Sequence, residues 1–263
     1  MTNIYCENQD NMPMSELKYK IAKPDPSIYD YVESFWMIDN CSDIGKDIIV
    51  LPDGRIDLFF TYSSNEPFHV VILGLSTEPT KVIFPPHRII FAISFKLLAI
   101  EYILDTPIVT IINQAKLLPD NFWGFSQDDM NNFDVFCVNA NKKISELLKV
   151  NIDKRKQLLF NLIYFSNGSM TVKELSEKSF WNSRQINRYF NQQFGLTLKS
   201  YCNILRFRAS FQHIKEGKLF PEQNFADQAH FIKEIKKLAG VVPKELSKNK
   251  NDRFIQLLTL PLK

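Results

Sequence analysis

Short apolar runs separated by turn formers dominate the first half of the chain; apolar positions three and four residues apart dominate the second. "YVESFWMID" (31–39), "KDIIVLPDG" (46–54), "RIDLFFTY" (55–62), "FHVVILGL" (68–75) and "HRIIFAISF" (87–95) are rich in Val, Ile, Phe and Tyr. Pro52-Asp53-Gly54, Ser63-Ser64-Asn65, Pro79 and Pro85-Pro86 bound them. β-Branched and aromatic residues suit a pleated, half-buried surface, and the bounding residues suit tight turns. Regularly spaced strands of this kind predict a small barrel or sandwich, followed by a short helix over 97–104. "LPDNFWGFSQDD" (118–129) reads as a loop. From Asp129 the period becomes helical, with Phe133, Phe136, Ala140, Ile144, Leu147 and Leu148 on one stripe. That stripe has two uses open to it, pairing two protomers or packing onto the chain's own domain.

A repeat lies in the second half. Sliding "FADQAHFIKEIKKLAG" (225–240) back by 45 residues aligns Asp227 with Asn182, Phe231 with Ile186, Lys233 with Arg188, Ile235 with Phe190 and Gly240 with Gly195. Asn and Asp are N-caps, whose side-chain oxygens accept from free backbone N–H groups. The i,i+4 apolar pairs anchor one face to a core, and glycine suits the left-handed end of a helix. These are two copies of one helix. Arg184, Asn187, Arg188 and Asn191 fall on the outer face of the first copy; Gln228 and Lys233 are the outward counterparts in the second, with Lys237 beyond them. Arg and Asn carry the donors and acceptors that read guanine and adenine edges, and an α-helix fits the major groove. Thr171 can cap a preceding helix over 171–178, so helix, tight turn and polar-faced second helix make a helix-turn-helix.

Charge sharpens this division. Residues 1–150 hold 12 Lys and Arg against 20 Asp and Glu, a net −8; residues 151–263 hold 20 against 9, a net +11. An acidic half joined to a basic half places a polyanion partner on the second half alone. No run approaches the roughly 20 apolar residues of a membrane span, and the polar amino terminus does not read as a secretion signal. Cys6, Cys41, Cys137 and Cys202 show no CxxC spacing, which fits free thiols in a reducing cytoplasm. A metal site needs three or four converging ligands, and the four histidines are His69, His87, His213 and His230. His69 and His87 on candidate strands raise a rival arrangement, a metal or small-molecule enzyme in the barrel with a DNA-binding appendage. No His-x-His occurs, and no glutamate follows at ligand spacing. Asp227 and His230 have an ordinary role as cap and first-turn residue. No catalytic residue, metal or cofactor is expected.

"TVKELSEKSFWNSRQINRYFNQQFGLTLKSYCNILRFRAS" (171–210) with "FADQAHFIKEIKKLAGVVPKEL" (225–246) resembles the DNA-binding domain of AraC-type transcriptional regulators, over roughly residues 153–247. "LPDGRIDLFF" (51–60), with "FAISFK" (91–96) and "AIEYIL" (99–104), is similar to the β-rich domain that precedes it in one AraC subgroup. The resemblance implies two helix-turn-helix units joined by a long central helix at about 199–216. It implies recognition residues at Arg184, Asn187 and Arg188, and at Gln228, Ala229 and Lys233. Only "GKLFPEQNFA" (217–226), with Gly217 and Pro221, stands where the second unit should have its scaffold helix, so that unit reads as abbreviated. The expected architecture is α+β in two domains. A β-rich sensor or dimerisation domain covers 1–125 and a helical linker 126–152; an all-α DNA-binding domain covers 153–250 and a tail 251–263. The expected partners are double-stranded DNA, a small-molecule effector in the amino-terminal domain, RNA polymerase and a second copy of the chain.

Overall fold

A computed structural model describes residues 17–105, 107–220, 225, 227–250 and 253–258. The strands come first: β1 (Leu17–Ala22), β2 (Val32–Asn40), β3 (Lys46–Val50), β4 (Ile56–Tyr62), β5 (His69–Leu73), β6 (Thr80–Phe84), β7 (Ile89–Phe95) and β8 (Ala115–Leu118). β1, β2, β7, β4, β5 and β8 form one antiparallel sheet in that order, and β3 pairs with β6 in a separate ribbon. β7 is buried on both faces, which is why its sequence is a continuous apolar run. Phe91, Ile93 and Phe95 enter the main core, while Ile90 and Ala92 join Ile38, Ile48 and Phe84 beneath the ribbon. Ala92 is flanked in register by Trp36 and Phe59, and its small side chain lets their rings meet edge to face at 5.2 Å.

The five apolar runs appear as β2, β3, β4, β5 and β7. β1, β6 and β8 lack a run that sequence could reveal. Four of the five β6 residues are exposed, and lysines interrupt β1 and β8. These strands exist because a neighbour supplies the hydrogen bonds. The helix expected over 97–104 is a π-helical turn, Ile100–Leu104, ended by Asp105 at φ 51°.

The α-helices follow: α1 (Phe133–Leu147), α2 (Lys154–Phe165), α3 (Val172–Lys178), α4 (Ser183–Phe194), α5 (Leu198–Ala209), α6 (Phe211–Lys215), α7 (Gln228–Ala239), α8 (Pro243–Lys248) and α9 (Ile255–Leu258). Phe133, Phe136, Ala140 and Ile144 of α1 are buried against the sheet. The Phe136 ring lies 5.4 Å from Phe60, 5.3 Å from Phe91 and 5.3 Å from Phe125. The stripe therefore packs onto the chain's own domain, and it does not present a face for pairing protomers. Leu148 lies past the helix as its C-cap, and Leu147 is 37% exposed.

The turn after β3 forms the seam between the two halves. The Tyr201 hydroxyl of α5 donates to the Gly54 carbonyl at 3.0 Å, and Tyr164 of α2 donates to Tyr201 at 3.0 Å. Gly54 is left-handed at φ 76°, a conformation that favours glycine, and a Cβ there would meet the Leu205 side chain at 2.9 Å. Beside it Arg55 is 5% exposed, pairs with Glu33 at 3.0 Å, and lies 5.2 Å above the Tyr164 ring. Arg208 of α5 reaches the other Glu33 oxygen at 2.7 Å, and Lys96 stands 3.8 Å away. Burial alone would raise the Glu33 pKa, but Arg55, Arg208 and Lys96 outweigh it and hold the carboxyl down at about 2.

A depressed carboxylate contributes stability above its ordinary value and loses it as pH falls through the folded value. With an ordinary value of 4.5 and a folded value of about 2, the loss falls in that window and amounts to about 3 kcal/mol. Urea unfolding from pH 5 to pH 2.5 should show this steepening in the native chain and not in Glu33→Gln; parallel pH profiles would contradict it.

Candidate nucleic-acid interface

The first helix-turn-helix is built by capping. Thr171 Oγ1 accepts from Glu174 N–H at 3.2 Å, and the Glu174 carboxylate accepts from Thr171 N–H at 2.7 Å, a capping box that starts α3. Leu175 is buried, and the Ser179 hydroxyl donates to the Leu175 carbonyl at 2.6 Å, closing the helix into the turn. Asn182 Oδ1 then accepts from Arg184 N–H at 2.8 Å and starts α4. The second copy is alike: Asp227 Oδ1 accepts from His230 N–H at 2.7 Å at the head of α7. Both helices span 12 residues and end on a left-handed glycine, Gly195 at φ 70° and Gly240 at φ 74°. Ile186 and Phe190, like Phe231 and Ile235, are fully buried. Asp227 and His230 are thus a cap and the residue whose N–H it receives; the His230 ring lies 5.8 Å from Phe225.

The outer faces separate the predicted residues into two groups. Arg184, Arg188 and Asn191 on α4 and Lys233 on α7 are exposed, and their side chains make no hydrogen bond or ion pair among the described residues. Asn187 is half-buried: its Nδ2 donates to the Ser183 carbonyl at 3.1 Å, and its Oδ1 accepts from Leu198 N–H at 3.4 Å. That amide braces α4 against the start of α5. Gln228 is exposed, but its Nε2 donates to the Leu219 carbonyl at 2.6 Å. Ala229 is exposed and offers no polar group.

The back of α4 leans on the amino-terminal domain. The Tyr189 hydroxyl donates to Glu101 at 2.9 Å, where Lys156 also donates at 2.8 Å. Burial raises the Tyr189 pKa, and Glu101 raises it further, so the phenol stays protonated and keeps this bond. Ile108 N–H donates to the Gln193 carbonyl at 3.2 Å.

The central helix expected at about 199–216 is interrupted at Ser210, where α5 ends and α6 begins. Ser210 N–H contacts both the Arg206 and Phe207 carbonyls, and its hydroxyl bonds back to Arg206 at 2.9 Å, a pattern that disturbs helices. Among the described residues no helix lies between Lys215 and Gln228. Pro221 and the rest of 221–224 and 226 lie outside the described residues. On the side of α5 away from the seam, a groove of about 700 Å³ runs against α7, lined by Lys199, Asn203, Arg206, His230, Glu234 and Lys237. Periodicity alone could not reveal it, because it needs α5 packed on α7, where Asn203 Nδ2 donates to Glu234 at 3.3 Å.

The histidines of the rival reading have ordinary partners. His69 Nδ1 lies 2.9 Å from the Pro67 carbonyl and His87 Nε2 2.8 Å from Asp43. Among the described residues no group of three or more His, Cys, Asp or Glu could hold a metal ion, and no helix is long and apolar enough to cross a membrane.

Residues 20–116 match the family model of a domain of unknown function, DUF6597. The uncharacterized cox1 intron-2 37.2 kDa protein of Schizosaccharomyces pombe is 28% identical over 116 residues, 41% of this chain. The chain spans 35% of that relative's length. Among solved structures, ToxT from Vibrio cholerae gives a TM-score of 0.46 at 14% identity, covering 82% of this chain and 98% of that one. ToxT with an unsaturated fatty acid bound gives 0.42 at 13% identity, covering 80% and 92%.

Proposed function

We propose that the protein is an AraC-type transcription regulator of the cytoplasm that binds duplex DNA through α4 and α7. One observation carries the reading: the same capped, glycine-ended helix occurs twice, each copy with a buried apolar pair behind and exposed cations in front. The amino-terminal sheet then carries the control contacts, to a small-molecule effector, a second copy or RNA polymerase. The two helices divide the labour. Arg184 and Arg188 have forked guanidinium groups suited to guanine edges, whereas Lys233 is a compact charge suited to phosphate. Gln228, which could read adenine with a donor and an acceptor, has its donor turned onto Leu219.

Genome-wide mapping of the full chain on host DNA would supply the cognate site. On that site log affinity should fall against log salt by ~0.9 per phosphate neutralised. Arg184→Ala or Arg188→Ala should cost ~1–3 kcal/mol and relax preference at one base position. Lys233→Ala should weaken cognate and random DNA alike and flatten the salt slope by about one unit. Salt-indifferent binding would contradict the interface. A larger change of base preference from Lys233→Ala than from Arg184→Ala would reverse the division of labour.

A further inference from the structure

Beyond α8 the chain returns to the amino-terminal domain. Asn249, left-handed at φ 35°, turns it, and its Oδ1 accepts from Phe254 N–H at 2.8 Å. Phe254 bridges Ile49 in parallel, and Ile49 N–H donates to the Arg253 carbonyl at 2.6 Å. Gln256 closes the contact in both directions: Leu51 N–H donates to Oε1 at 3.0 Å, and Nε2 donates to the Leu51 carbonyl at 2.9 Å. Among the described strands β3 pairs only with β6, so segment 253–258 covers its other edge, which would otherwise present unpaired backbone groups. Phe254 is 0% and Leu257 1% exposed, and both belong to the main core; α9 lies against α6 and β3. Arg253 pairs with Glu245 of α8 at 2.7 Å.

These contacts fall beside the second helix-turn-helix unit, which has no scaffold helix among the described residues. The first unit braces α4 with α3; in the second, no helix lies between α6 and α7 among the described residues, yet α6 gains α9 as a neighbour and Arg253 ties the same segment to α8. We propose that segment 253–258 does for the second unit what α3 does for the first, as a strap that fixes that unit, and with it Lys233, against β3 of the amino-terminal domain. Phe254, Gln256 and Leu257 are its positioning residues. The purpose assigned to the strap rests on the DNA-binding reading; its bracing of α7 does not.

Amide hydrogen exchange in the full chain without DNA tests the brace. In Gln256→Ala and Phe254→Ala the Ile49 and Leu51 amides should exchange about ten-fold faster or more, and the Phe231 and Ile235 amides of α7 should speed up with them. The Ile186 and Phe190 amides of α4 should keep their rates. Gln256→Ala removes both hydrogen bonds to Leu51 and no core side chain, so it carries the test if Phe254→Ala unfolds. On the cognate duplex, Gln256→Ala should bind about ten-fold more weakly and lose about one unit of salt slope, with base preference unchanged. Opening of β3 with α7 undisturbed would reduce the segment to an edge cover and overturn the proposal, as would tighter DNA binding. If the exchange pattern holds while the native chain fails to bind any duplex, the brace stands and the regulator reading falls.

Discussion

Arg55→Ala should destabilise the folded chain by about 3 kcal/mol, near the lower end of the cost of breaking a buried ion pair. The guanidinium is 5% exposed, pairs with Glu33 at 3.0 Å and covers the Tyr164 ring. Removing it leaves Glu33 in a desolvated seam with Arg208 at 2.7 Å and Lys96 at 3.8 Å, which is why the loss is not larger. Arg55→Lys should recover only part of it, because an ammonium cannot lie flat over Tyr164 while holding the carboxylate. Denaturant unfolding checks this; a loss under about 1 kcal/mol would mean that the pair behaves as a surface bridge.

Gly168→Ala should cost about 2–5 kcal/mol, combining the left-handed penalty of ~1–2 kcal/mol with an overpacking term of ~1–3 kcal/mol. Gly168 sits in the turn between α2 and α3 at φ 71°, and an added Cβ would stand 2.4 Å from the Cys202 carbonyl oxygen and 2.9 Å from its Cα. Those are backbone atoms of α5 and cannot rotate aside. Gly217 provides the control, with φ 77° but nothing within 4 Å of its Cβ position. Gly217→Ala should pay the left-handed penalty alone, ~1–2 kcal/mol. Equal losses for the two variants in thermal or denaturant unfolding would show that the close approach to α5 adds nothing.

What could be read from sequence follows from where each signal originates. The repeat was legible because caps, apolar pairs and terminal glycines are local, so Asn182 and Asp227 announced α4 and α7 without any tertiary contact. The central strands were legible because burial on both faces leaves an apolar run, as in β7. The edge strands were not, because β6 is mostly exposed and its pairing partner is remote. Asn187 illustrates the same limit within the candidate interface. Helical spacing put it on the outer face, but its amide meets Leu198 N–H across the next turn, a contact that no periodicity encodes. Gln228 similarly finds Leu219, nine residues earlier. The residues left exposed with no side-chain bond among the described residues, Arg184, Arg188, Asn191 and Lys233, are those whose position depends only on the helix carrying them.

In the sequence Pro52-Asp53-Gly54 reads as a turn between two strand runs, yet its physical role is at the seam: Gly54 receives Tyr201, and Arg55 is enclosed with Glu33, Tyr164 and Arg208. Two-domain chains are often treated as interchangeable modules, to be cut at the linker and grafted onto other partners. Cutting here would expose a buried arginine on one piece and the Tyr164–Tyr201 pair on the other. A chimera that keeps the helical half would need a donor domain with a matching glycine-arginine turn and an acid in place of Glu33. The unit of exchange is therefore the seam and both of its faces, not either domain alone.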